Sequence, residues 1–287
     1  MMNRRQAIKT TAVAAAAATV AQQLDATEPS SAVLKGNIHH SVCRWCYKDI
    51  PLDTLCRQAK DIGIGSIDLV EVGDFPTLRK YGLICAMVTG VPGMINDGLN
   101  QPENHARIAE FFNRTIPIVA DAGFPNMICF SGQRRGLSDE EGMKHCADGI
   151  RKFIGLAEKR GVTVCMELLN SKVNHPDYMA DHTAWGVALC KMVGSERFKL
   201  LYDIYHMQIM EGDVIRTIQD HHACIAHYHT GGVPGRHEID DTQELFYPAI
   251  MRAIVGTGFK GWVAQEFVPA RPDPIASLRE GIHICDV

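Results

Sequence analysis

Four side chains carry most of the chemistry this sequence offers. Glu167, Asp203, His229 and Glu266 each stand where a short apolar, β-rich run stops: Thr-Val-Cys-Met-Glu, Leu-Leu-Tyr-Asp, Ala-His-Tyr-His and Val-Ala-Gln-Glu. Any one of them alone would serve as readily as a helix cap or a solvated rim group. Three carboxylates and an imidazole converging on one place would repel one another unless a cation sat between them. Three oxygens and one nitrogen suit Mg²⁺ or Mn²⁺, and the same donor set admits Co²⁺ or Zn²⁺. The economical expectation is a divalent metal centre with Glu167, Asp203, His229 and Glu266 as its ligands.

Convergence requires a scaffold in which successive strands end on the same side. Strands are expected at 37–43, 66–70, 83–88, 126–130, 163–168, 199–203, 224–229 and 261–267. Helical periodicity fills the intervals at 52–62, 77–81, 103–122, 139–160, 183–193, 213–221 and 245–255, with a last helix from Asp273. Gly63, Gly82, Gly123, Gly161, Gly194 and Gly256 stand where helices should close. Eight strand–helix pairs make a single α/β (β/α)8 TIM barrel over residues 37–287, whose chemistry sits where the strands end. No glycine-rich phosphate turn joins a strand to a helix, which removes the argument for a Rossmann fold. His227 shares a strand face with His229 and is expected one layer below it. His39, His40, His105, His145, His221, His222 and His283 read as surface or packing residues.

The chain of 287 residues is 46% hydrophobic and 22% charged with a formal charge of −4, values of an ordinary globular protein. Disorder, collagen and coiled coil are excluded, and nothing in the charge favours nucleic acid as a partner. Among the ten cysteines, Cys56, Cys85, Cys129, Cys146, Cys165, Cys190 and Cys224 sit singly in apolar stretches and read as buried small hydrophobes. Cys43 and Cys46 are the one close pair; with no second pair to complete a zinc site, they read as packing residues at the end of the first strand.

Residues 1–26 read as an address rather than as structure. Arg4 and Arg5 precede an alanine-rich run that passes small residues near Ala21 and Ala26, where cleavage is expected. The run is far shorter than the roughly 20 apolar residues a membrane-spanning helix needs. The segment resembles a twin-arginine export signal, which implies the twin-arginine translocon as a transient partner and a periplasmic destination. Residues 27–36 are then a linker before the barrel. A route that carries folded proteins accounts for so many thiols in an exported chain.

Residues 202–213, Tyr-Asp-Ile-Tyr-His-Met-Gln-Ile-Met-Glu-Gly-Asp, and the later Gly235-Arg236-His237-Glu238 carry a family resemblance. The chain after its leader resembles the hydroxypyruvate isomerase group of xylose-isomerase-like barrels. Related ketose 3-epimerases place Glu, Asp, His and Glu on strands five to eight, which assigns the same four ligands here. The resemblance implies a small-molecule substrate, a sugar or hydroxy-keto acid such as hydroxypyruvate converted to tartronate semialdehyde, and leaves a homo-oligomer open. It implies that Glu167 and Glu266 are the catalytic acid and base and that His206 and Arg236 hold substrate oxygens. Some hydroxypyruvate isomerases carry Gln as third ligand, so His229 leans toward the sugar epimerases. Two other readings use the same residues: an exported lyase, dehydratase or epimerase acting on keto-sugars or glycosides, and a sugar-binding barrel whose metal is structural.

Overall fold

The computed structural model describes residues 33–287; the expected leader and residues 27–32 of the linker lie outside the described residues. Seven parallel strands, β1 (His39–Cys43), β2 (Ser66–Asp68), β3 (Asn126–Cys129), β4 (Thr163–Glu167), β5 (Phe198–Asp203), β6 (Ile225–Thr230) and β7 (Trp262–Gln265), run in the order β2-β1-β7-β6-β5-β4-β3. Helices connect them, as parallel pairing demands, and the fold is an α/β TIM barrel. At the start of the described chain, the Lys35 backbone N–H donates to the Asp286 carboxylate at 3.0 Å.

The third expected strand, 83–88, is the main departure. It makes single parallel bridges, Ser66 with Ile84 and Val88 with Met127, instead of a ladder. The segment still closes the ring between β2 and β3: Ile67 N donates to Ile84 O at 3.0 Å and Ile128 N to Val88 O at 3.0 Å. Side chains take over the intervening peptide. Ser66 Oγ accepts from Ala86 N at 2.7 Å, and Asn126 Nδ2 donates to Ala86 O at 2.8 Å. A peptide bonded on both sides by side chains cannot also enter a regular ladder.

Strand alternation separates two apolar layers. Outward residues such as Val164, Met166, Leu200, Tyr202, Tyr228 and Val263 pack into the helical shell. Inward residues Met87, Ile128, Cys165 and Leu201 fill the barrel interior. Two residues beyond Cys165 and Leu201, on the same faces, stand Glu167 and Asp203. The apolar floor thus dictates which side chains reach the mouth.

Helices Leu52–Ile62 and Thr183–Val193 match expectation. The stretch expected as one helix over 139–160 divides into Asp139–Ile150, opened by a Ser138–Glu141 capping box, and Ile154–Arg160. The break lets Phe153 turn inward and stack on Phe112 at 4.4 Å between centroids. Gly256 is the last helical residue rather than the cap, and Gly258 at φ +80° makes the turn. Cys224 is half-buried, not buried as expected, because it lies in a 3-10 turn ahead of β6. A short helix the periodicity does not anticipate, Ile204–Met210, follows β5 directly.

Candidate metal centre and active site

Strands β4, β5 and β6 deliver Glu167, Asp203 and His229 to the mouth, and Glu266 follows β7 by one residue. All four are buried, and each offers one ligand atom within 4.8 Å of the others. His229 Nδ1 lies 2.6 Å from Glu266 Oε2 and 3.4 Å from Glu167 Oε1. Asp203 is also the N-cap of the helix Ile204–Met210: its Oδ1 accepts from Tyr205 N at 2.8 Å and His206 N at 3.3 Å. Capping fixes the carboxylate's orientation and turns Oδ2 toward the centre, where it meets Arg236.

The fit to a cation is visible in what the protein leaves unpaired. Glu167 Oε1 and His229 Nδ1 are buried without a well-directed hydrogen bond, an expensive condition for polar atoms that have no ligand to meet. This group can hold a metal ion, and its oxygen-rich donor set suits a hard divalent one.

Electrostatics within the cluster are strongly uneven. Burial, reinforced by the neighbouring Glu266, raises the Glu167 carboxyl above its ordinary value. Burial likewise pushes Asp203 up to about 7 against the pull of Arg236. Glu266 is equally buried, yet His229 and Arg236 overcome that penalty and hold it well below the usual carboxylate range.

The Arg236 guanidinium enters the cluster from the loop after β6. Its Nη2 donates to Asp203 Oδ2 at 2.7 Å and also to Glu266 Oε2. Its plane lies by the rings of Tyr205 at 5.0 Å and Trp45 at 5.5 Å. The backbone of Arg236 is held at φ +60°, a region that costs a side-chain-bearing residue energy and marks a position enforced by its surroundings. His206 is fully buried and stands 2.6 Å from Arg236 Nη1 through Nε2, while its Nδ1 accepts from Asn170 N at 3.1 Å. Both residues expected to hold substrate are therefore at the centre, His206 behind Arg236.

Several neighbours escape the motif reading. Trp45 Nε1 donates to Glu266 Oε1 at 2.7 Å. Cys43, expected to be packing alone, sets its Sγ 3.6 Å from His229 Nε2. Asp68 lies fully buried beneath, with His227 in the layer expected for it, 5.2 Å from His229 between ring centroids. The available signal for Asp68 was a charge inside an apolar strand run. His175 packs 5.3 Å from His206, and burial holds its imidazole below the ordinary value. It also lines a cavity of about 620 Å³ with Glu71, Thr89, Asn96 and Phe130.

Comparison with known proteins agrees with this architecture. Residues 76–285 match the family model of the xylose isomerase-like TIM barrel. The chain is 39% identical over 113 residues to the 2-oxo-tetronate isomerase of Cupriavidus necator, covering 39% of this chain and 43% of that protein. It is 28% identical over 134 residues to the hydroxypyruvate isomerase of Escherichia coli, covering 47% and 51%. The chain thus spans about half the length of these relatives. The crystal structure of the 3-keto-D-glucoside 4-epimerase of E. coli superposes with a TM-score of 0.71 at 17% identity, covering 86% of this chain and 98% of that one, which speaks to the fold. With its matched segment spanning most of the barrel, the chain belongs to the xylose isomerase-like TIM barrel family.

Proposed function

We propose that this protein is a metal-dependent isomerase or epimerase that moves protons next to a carbonyl through an ene-diolate. The observation that carries the reading is the convergence of Glu167, Asp203, His229 and Glu266 within 4.8 Å in a buried site. A divalent ion held by those four residues supplies charge stabilisation to adjacent substrate oxygens.

The chain's own residues account for the proton transfers. Glu167 and Glu266 flank the His229 imidazole, and one takes the proton from the weakly acidic C–H while the other returns a proton: to the neighbouring carbon in an isomerisation, with the hydroxyl proton passing between the two substrate oxygens, or to the opposite face of the same carbon in an epimerisation. Arg236, its guanidinium fixed between Asp203 and Glu266, binds a substrate oxygen, and His206 holds Arg236 in place. Burial of the four side chains keeps bulk water from the ene-diolate. The names of the relatives favour a small hydroxy-keto acid, with hydroxypyruvate the first compound to test.

A second reading, a keto-sugar or glycoside as substrate, draws support from the cavity beside His175. Its volume of about 620 Å³ equals the share of roughly twenty water molecules. Because His175 packs on His206, the cavity offers a substrate larger than a three-carbon acid room to extend away from the four mouth residues. The His ligand at position 229 points the same way.

The test is turnover in deuterated water with hydroxypyruvate, ketohexoses and 3-keto-glycosides, followed by NMR of the products. Solvent deuterium on the product carbon and loss of turnover on chelation are expected. Unlabelled product from an active enzyme would remove the two-carboxylate proton shuttle, leaving hydride transfer or a proton kept from solvent on one group. Retained activity in protein shown by elemental analysis to be metal-free would remove the metal.

A further inference from the structure

The two nitrogens of His229 face different chemistry. Nδ1 looks up toward Glu266 and Glu167, at 2.6 and 3.4 Å. Nε2 looks down the barrel axis toward Cys43 Sγ at 3.6 Å and Asp68 Oδ2 at 3.9 Å. A histidine that binds a metal is neutral and carries its one proton on the nitrogen that faces away from the metal.

Asp68 is an unusual residue to find at that depth. It is fully buried on β2, where an ionised carboxylate is tolerated only with compensation. Its Oδ1 is saturated by two hydroxyls, Ser41 Oγ at 2.6 Å and Ser66 Oγ at 2.9 Å. Its Oδ2 has no well-directed hydrogen bond, although His227 Nε2 stands 2.7 Å away. The two serines clamp the carboxylate so that its unsatisfied oxygen faces the pair of histidines.

We propose that Asp68 is a positioning residue for the metal centre. With Cys43 it favours the proton on Nε2 of His229 once a metal takes the place of the Nδ1 proton that Glu266 would otherwise hold, so that the Nδ1 lone pair faces Glu266 and Glu167 across the metal. A carboxylate behind a ligating histidine both orients the ring and raises its donor strength. His227, on the same strand face and against the same oxygen, holds Asp68 from the far side. The inference rests on the reading of the four mouth residues as a metal site.

The experiment is equilibrium dialysis of Mn²⁺ against the full chain and against Asp68→Asn, which keeps the shape and removes the charge. A 10- to 100-fold weaker Mn²⁺ affinity is expected for the variant, with an unchanged circular dichroism spectrum. Wild-type protein that binds no Mn²⁺ would overturn the metal site and this inference together. Equal affinity in the two proteins would overturn the role of Asp68 alone. Should Asp68→Asn fail to fold, the wild-type protein loaded with diamagnetic Mg²⁺ decides through the ¹⁵N imidazole resonances of His229, assigned by difference against His229→Gln. A protonated Nε2 and a bare Nδ1 support the proposal, and the opposite tautomer refutes it.

Discussion

The indole N–H of Trp45 donates to Glu266 Oε1 at 2.7 Å across 221 residues of sequence. Trp45 is 43% exposed, so it covers the centre while reaching into it. On the proposed roles, this bond holds Glu266 in line for proton transfer. Replacement by Phe keeps an aromatic face beside Arg236 and removes only the donor. Hydrogen bonds to charged groups contribute about 1.5–3 kcal/mol, so kcat/KM should fall roughly 10- to 100-fold with little change in unfolding free energy. Wild-type kinetics in Trp45→Phe would show that the bond does not act in turnover.

Glu167 and Glu266 should each resist replacement by Gln. The amide keeps a coordinating oxygen but takes no proton. The loss should exceed the roughly 10²–10⁴-fold expected of a positioned acid or base, because each residue also contributes to the metal site. The informative result is a variant that binds Mn²⁺ and substrate yet neither turns over nor exchanges label. A Gln variant with ordinary exchange would relocate the base.

His40 gives the fold a pH dependence separate from catalysis. It is buried beside Asp286, and burial lowers its pKa from 6.5 to about 4. Between those values the unfolded chain holds the proton more tightly than the folded one. Stability therefore declines as pH falls from 6.5 and the loss is complete near 4, amounting to about 3 kcal/mol. Urea titrations of His40→Gln should show a flatter acid limb than the wild type. Parallel limbs in the two proteins would mean that other groups set the slope.

Export is proposed from Arg4 and Arg5 ahead of the alanine-rich run. Replacing both with Lys should leave the precursor in the cytoplasm, scored by cell fractionation. An unchanged periplasmic yield would argue for another route.

How much of this was legible beforehand depends on the distance over which each feature is specified. Glu167, Asp203, His229 and Glu266 could be read because each closes a local period-two run, and parallel pairing places such ends on one side. The layer below followed equally: His227 sits two residues before His229 and occupies the level expected of it. The third strand closes the ring without the expected ladder because its regularity depends on Ser66 and Asn126, which bond the Ala86 backbone from neighbouring segments.

The sequence by itself determined the alternation of strands and helices, and with it the four residues at the strand ends. The tertiary structure decided which first- and second-strand residues meet them. Asp68 lies beneath His229, Cys43 against its Nε2 and Trp45 on Glu266 because β1 pairs with β7 on one side and β2 on the other. That pairing is a product of ring closure, in which residues near opposite ends of the chain become neighbours. No local periodicity records it, since the energy that selects it comes from burying the shared interior of all the strands at once.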